Sequence, residues 1–124
     1  MGGELVKTDR LGEVLDEERP WGRFERFTVN EPSTVKIIHV APGQQLSLQR
    51  HVFRDELWVA LDPGAVFEVD GDRVEPDVGD RLLIRAGQTH RLGSLGPAVR
   101  VLEIAFGHFD EEDIERLADV YGRS

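Results

Sequence analysis

Four side chains with lone pairs stand where turns feed strands in this sequence: Gln49, His51, Glu56 and His90. Gln49 and His51 lie two apart in an alternating segment that follows Pro42-Gly43, so on a strand they share a face. Glu56 opens the apolar run Leu57 to Leu61 across a short polar connection, and a folded-back strand pair would bring it beside His51. His90 follows Gly87-Gln88-Thr89, again at a turn. Such donors converging inside a sheet make sense around a metal ion, because burying them unpaired is costly. A fully hydrogen-bonded polar network without metal is the alternative that spacing leaves open. Two imidazoles, a carboxylate and an amide oxygen suit Zn²⁺, and would also take Mn²⁺, Fe²⁺ or Ni²⁺. A fifth group, Glu103, interrupts the face made by Val99, Val101 and Ala105. A carboxylate among apolar neighbours needs a partner or a raised pKa.

Positioning these groups falls to short strands. Arg23 to Val29, Thr34 to Val40, Arg81 to Ile84 and Ala98 to Phe106 read as strands, the last apolar on both faces, as in a sandwich or at a dimer contact. Asp70-Gly71-Asp72 between Ala65–Val69 and Arg73–Glu75 signals a compact hairpin. Trp21, in Arg19-Pro20-Trp21-Gly22, is expected to anchor packing. At the C-terminal end the period changes. Asp110 is placed to cap a helix with Glu111, Glu112 and Asp113 in its first turn, and Ile114, Leu117, Ala118 and Tyr121 at helical spacing. Around ten strands and one terminal helix predict an all-β barrel or sandwich. The expected organisation is an N-terminal arm or short edge strand over 1–17, a barrel over 18–107 and a helix packed on it over 108–124.

With 124 residues the chain is long enough for one domain with its own core. It has no cysteine, so disulfides and thiolate metal sites are excluded. Its net charge of −9 argues against nucleic-acid and membrane-surface partners, while leaving room for an anionic substrate wherever positive charge is locally concentrated. No run is apolar enough for a signal peptide or a bilayer span, and a cytoplasmic protein is expected.

The spacing Gly43, five residues, Gln49, one residue, His51, four residues, Glu56 resembles the first cupin motif, with Gln in place of its first His. Gly79, five residues, Arg85-Ala86-Gly87, two residues and His90 resembles the second, with Arg85 where cupins usually have Pro and Ser94 where they usually have Asn. Arg19-Pro20-Trp21-Gly22, Leu46-Ser47-Leu48-Gln49, the spaced His51, Arg54, Glu56 and Trp58, His90-Arg91, Glu112-Asp113-Ile114 and Tyr121-Gly122-Arg123 are similar to the type II mannose-6-phosphate isomerase cupin. That module is often the C-terminal part of a bifunctional enzyme that also makes GDP-mannose.

The resemblance implies a double-stranded β-helix (cupin) barrel, commonly a homodimer, and a metal shell of Gln49, His51, Glu56 and His90. It implies interconversion of mannose 6-phosphate and fructose 6-phosphate through an enediol, with Zn²⁺ the first choice of metal. Redox cupins commonly carry three histidines, so Gln49 favours a Lewis-acid role over oxygen activation. Glu103 is the candidate general base, with Arg91 a second catalytic candidate. Lys36, directed inward if its register follows the family, and Arg54 and Arg91 are the candidates to hold phosphate. Val52 and Phe53 occupy positions where the family often has histidines, which points to an altered substrate. A nucleotidyltransferase activity would need an α/β domain for which 124 β-rich residues leave no space. A metal-dependent oxygenase and a non-catalytic sugar-binding cupin are the competing readings.

Overall fold

The inward positions of several strands change from apolar to polar along their length, and the architecture packs these gradients in parallel. In Val99, Val101, Glu103 and in Ala60, Trp58, Glu56, residues two apart share a face, so each strand contributes core at one end and chemistry at the other. The computed structural model describes residues 15–118, in which every regular element is a strand and every strand pairing is antiparallel. Residues 1–14 of the arm expected over 1–17 and the Tyr121-Gly122-Arg123 match lie outside the described residues, and 15–17 belong to a strand.

The chain divides into two compact units, Met1–Pro32 and Ser33–Ser124. In the first, β1 (Leu15–Arg19) and β2 (Gly22–Arg26) form a hairpin closed by Pro20-Trp21. Trp21 is 72% exposed and is not the packing anchor expected. It sits in the two-residue loop beyond the last strand pair, Arg19 opposite Gly22, where a side chain has no facing strand to pack on.

The second unit contains two sheets. One has the order β3 (Ser33–Val40), β10 (Val99–Phe106), β5 (Glu56–Ala60), β8 (Arg81–Ile84). The other runs β11 (Glu115–Ala118), β4 (Leu48–Arg50), β9 (Thr89–Ser94), β6 (Ala65–Val69), β7 (Asp72–Val74). Val40, Ala60, Val99 and Val101 from the first sheet and Ala65, Phe67 and Leu92 from the second pack with Trp58 and Ile84 into one buried cluster. Trp58 and Phe67 meet with ring centroids 5.0 Å apart and planes tilted by 60°. Such an aromatic pair contributes about 0.5–1.5 kcal/mol beyond its buried area. The β6–β7 hairpin closes on Asp70 (φ 50°) and Gly71 (φ 84°), the two left-handed residues that a two-residue turn of this kind demands.

The C-terminal helix is a correction. Among the described residues there is none. Asp110 does start a turn, its side chain accepting from the Glu112 amide (2.9 Å) and its carbonyl from the Asp113 amide (3.0 Å), but the chain then extends as β11 against β4. A helix here would leave one edge of β4 unpaired. The ladder, with an ion pair between Arg50 and Glu115 across it, outweighs local helical propensity.

Candidate metal centre

Strand register explains how distant residues meet. Arg116, Gln49, His90 and Val69 lie directly opposite one another across β11, β4, β9 and β6 and therefore share a face. Lys36, Glu103, Trp58 and Leu82 form the corresponding row across β3, β10, β5 and β8. The loop holding His51 is tied to the turn before His90 by the Gly87 amide, which donates to the His51 carbonyl at 2.7 Å.

His51, Glu56 and His90 are all buried, and one potential ligand atom from each lies within 4.8 Å of the others. His51 Nε2 is 3.6 Å from Glu56 Oε2, and His90 Nε2 is 3.6 Å from Glu56 Oε1. Both imidazoles are held from behind by carbonyls: His51 Nδ1 lies 2.6 Å from the Asp113 carbonyl and His90 Nδ1 lies 3.2 Å from that of Gln88. A carbonyl only accepts, so each Nδ1 carries the proton and each Nε2 turns a lone pair toward Glu56.

Burial favours the neutral imidazoles. Desolvation lowers the His51 pKa, against the opposing pull of the Asp113 carbonyl, and lowers that of His90, with help from His51, to about 4. Burial raises Glu56, opposed by its bond with Arg54. Two lone pairs and a carboxylate thus converge, and Glu56 Oε1 is buried with no hydrogen-bond partner among the described residues. A network held together by hydrogen bonds alone would supply a proton there; a cation fits instead. Gln49 shares the face of His90, and its amide nitrogen donates to Ser47 Oγ at 2.8 Å, which keeps its oxygen as the donor atom on offer.

Arg54 is 7% exposed and fully engaged. Its Nε donates to Glu56 Oε2 (2.8 Å), its Nη1 to the Asp110 carbonyl (3.0 Å), and its guanidinium stacks 4.4 Å from the centre of the Phe109 ring. Its place is beside the carboxylate rather than free in the cleft. Glu103, 8% exposed, accepts from the Trp58 indole at 3.0 Å. Burial, and then the neighbouring Glu56, push its pKa up. It faces a cleft of about 270 Å³ that Lys36, Gln49, His51, Arg54, Phe109 and Arg116 also line. That volume falls just short of the roughly 300–1,000 Å³ typical of pockets for drug-sized ligands.

Arg91 is not among the residues that line this cleft, although it borders a small cavity of about 20 Å³ with Gln49, His90 and Glu103. His90 and Leu92 point inward, so Arg91 projects from the other face of β9, 3.6 Å from Glu68, over a separate depression also lined by Arg73. Two cleft-side groups escaped the sequence reading. Asp113, expected to be a solvated helix start, holds His51 with its carbonyl and takes the Val52 and Phe53 amides on its carboxylate at 2.8 and 3.0 Å. Arg116 was hidden by the same helical reading; alternation on a strand opposite β4 would have revealed it.

A pH dependence follows. Unfolded histidine titrates near 6.5, and His90 near 4 in the fold, so between those values the unfolded chain binds a proton that the fold refuses. This contribution is fully present above pH 6.5 and is lost as the pH falls toward 4, amounting to about 3 kcal/mol. The raised carboxyls of Glu56 and Glu103 act in the opposite sense, so the readout is a difference. In chelator, denaturant-derived stability of the native sequence is expected to fall more steeply from pH 7 to 4.5 than that of His90→Gln. Equal slopes would contradict the assignment.

The family described as mannose-6-phosphate isomerase, C-terminal, matches residues 9–119. The chain is 36% identical over 107 residues to mannose-1-phosphate guanylyltransferase of Escherichia coli, covering 85% of this chain and 22% of that protein. It is 35% identical over 108 residues to alginate biosynthesis protein AlgA of Pseudomonas aeruginosa, covering 86% and 22%. The chain thus spans less than a quarter of the length of these relatives. Among solved structures, a Klebsiella pneumoniae protein with a double-stranded β-helix domain superposes with a TM-score of 0.60 at 20% identity, over 73% of this chain and 77% of that one.

Proposed function

Since the chain belongs to the mannose-6-phosphate isomerase C-terminal family and has its double-stranded β-helix, we propose that it is a metal-dependent sugar-phosphate isomerase interconverting mannose 6-phosphate and fructose 6-phosphate. The observation that carries this reading is the buried Glu56 carboxylate, faced by His51 at Oε2 and by His90 at an Oε1 with no hydrogen-bond partner among the described residues, beside a cleft lined by a second buried carboxylate of raised pKa. His51, Glu56 and His90, with Gln49, would hold the divalent cation, which as a Lewis acid would stabilise negative charge developing on the substrate oxygens. Zn²⁺ suits this donor set, and Mn²⁺, Fe²⁺ and Ni²⁺ are also accepted by it.

Glu103 takes the proton from one of the two carbons and returns it to the other, passing through an enediol. A carboxylate serves as a base near neutral pH only if its pKa is raised, which burial and the Glu56 charge provide. The Trp58 indole fixes one Glu103 oxygen, leaving the second for the substrate. Arg54 holds Glu56 in its rotamer by two routes, the bond to Oε2 and the anchor on the Asp110 carbonyl. Lys36, on the Glu103 row and 42% exposed, is placed to attract an anionic substrate to the rim.

The test is a coupled assay with mannose 6-phosphate across Zn²⁺, Mn²⁺, Fe²⁺, Co²⁺ and Ni²⁺, with glucose 6-phosphate as contrast. Metal-dependent turnover of mannose 6-phosphate alone supports the proposal; tight sugar binding without turnover at saturating metal would point to a non-catalytic cupin. Two imidazoles and one carboxylate also form the donor set of non-haem iron oxygenases. Metal analysis after air-free purification, finding iron alone, would favour that second reading. A homodimer is part of the proposal, supported by Val35 and Ile37, exposed at 58% and 49% on the edge strand β3.

A further inference from the structure

The two sheets present their functional rows in the same order. Reading inward from the edge strands, one row is Lys36, Glu103, Trp58 and the other is Arg116, Gln49, His90. Trp58 meets His90 across the interior, with ring centroids 5.6 Å apart. Glu103 and Gln49 line the cleft together one step outward, and Lys36 and Arg116 line it from the two edge strands, β3 and β11. The cleft therefore has a base and a metal donor in its depth and a cation from each sheet at its rim.

These rim cations differ in what they already hold. Lys36 has only a loose contact, 3.9 Å, with Glu111, itself 81% exposed, and lies 4.5 Å from the centre of the Phe109 ring. Arg116 is half-buried, and its Nε is sheltered from solvent with no acceptor among the described residues. An arginine N–H shielded from water without an acceptor is a vacancy for a rigid anion. Arg54, the third cation of the cleft, has its donors on Glu56, the Asp110 carbonyl and His51 Nε2. Arg91, whose Nε likewise has no acceptor among the described residues, lies 3.6 Å from Glu68 and does not line this cleft.

We propose that Arg116 is the residue that fixes the phosphate of a phosphorylated sugar, clamping it against Lys36 between the edges of the two sheets. This deepens the isomerase reading and rests on it for the identity of the sugar. A dianionic phosphate accepts the two N–H groups that a guanidinium edge presents, while the ammonium adds a point charge. Because Arg116 stands opposite Gln49 in the ladder, holding the phosphate there directs the rest of the molecule along the row toward Gln49 and His90, with Glu103 across from it. Arg116 thus makes the site demand a phosphorylated substrate.

The experiment is calorimetric titration of the zinc-loaded protein with fructose 6-phosphate, fructose and inorganic phosphate, which requires no turnover. The native sequence is expected to bind fructose 6-phosphate at least about tenfold more tightly than fructose. Arg116→Ala should lose that preference while keeping its zinc stoichiometry, and Arg116→Lys should recover part of it. Arg91→Ala should keep it. Unchanged affinity for fructose 6-phosphate in Arg116→Ala, or loss in Arg91→Ala alone, would overturn the proposal. Arg116-dependent binding without isomerisation would leave this inference standing and remove the isomerase reading.

Discussion

His51→Ala is expected to reduce bound divalent metal from about one ion per chain to near none, and turnover with it. The imidazole is buried at 5% exposure, gives its Nδ1 proton to the Asp113 carbonyl behind it and turns its Nε2 lone pair toward Glu56 in front. Removing it takes away one lone pair and leaves a buried carbonyl without its donor, so both affinity and local order suffer. Disturbing even the groups behind a metal ligand commonly costs 10–100-fold in affinity, and deleting a ligand itself costs more. Elemental analysis after dialysis against trace zinc provides the measurement. His39→Ala is the matched control, since His39 lies on the face of β3 opposite Lys36 and should retain full stoichiometry. A His51→Ala protein that still holds one zinc would remove the proposed centre.

Glu103→Gln is expected to lower kcat by about 10²–10⁴-fold, the usual contribution of a positioned general base. The amide is nearly isosteric and its oxygen still accepts from Trp58, so folding and zinc content should be preserved. Two readouts separate a proton-transfer role from a packing role. Exchange of the substrate's carbon-bound hydrogen with solvent deuterium, followed by proton NMR, should stop. The acid limb of the kcat/KM profile, which for a carboxyl raised by burial lies above the usual carboxylate range, should disappear. If the variant exchanges deuterium at the native rate, the base lies elsewhere.

How much of this was legible in the sequence depends on the range of the interaction that decides each feature. Gln49 was legible because two-residue alternation on a strand is local, and the resemblance supplied the spacing to Glu56 and His90, whereas His51 falls just past the end of β4, in a loop rather than on the strand face expected. The hairpin at Asp70-Gly71 was legible because its backbone angles select residue types directly. Lys36 came out on the Glu103 row, as alternation along β3 requires. Arg91 was named from the resemblance, and it stands between the inward-facing His90 and Leu92 on β9, 3.6 Å from Glu68. The stretch from Asp110 misled because capping and helical spacing are both local signals, whereas the demand of β4 for a partner lies some sixty residues away in the chain. With that helix went any view of Arg116 in the cleft or of Asp113 behind His51.

The Asp113 contact also has a temporal consequence. The candidate donors Gln49, His51, Glu56 and His90 all precede residue 113 in the chain, yet one imidazole is held by the Asp113 carbonyl, and the Arg54 that bonds Glu56 rests on the carbonyl of Asp110. A chain ending at β10 therefore carries every candidate ligand but lacks the carbonyls that hold His51 and Arg54. Such long-range closures come late because distant chain segments must first be brought together at an entropic cost. Metal capture at the candidate centre is therefore expected to follow the closure of the Asp110–Asp113 segment over His51 and Arg54.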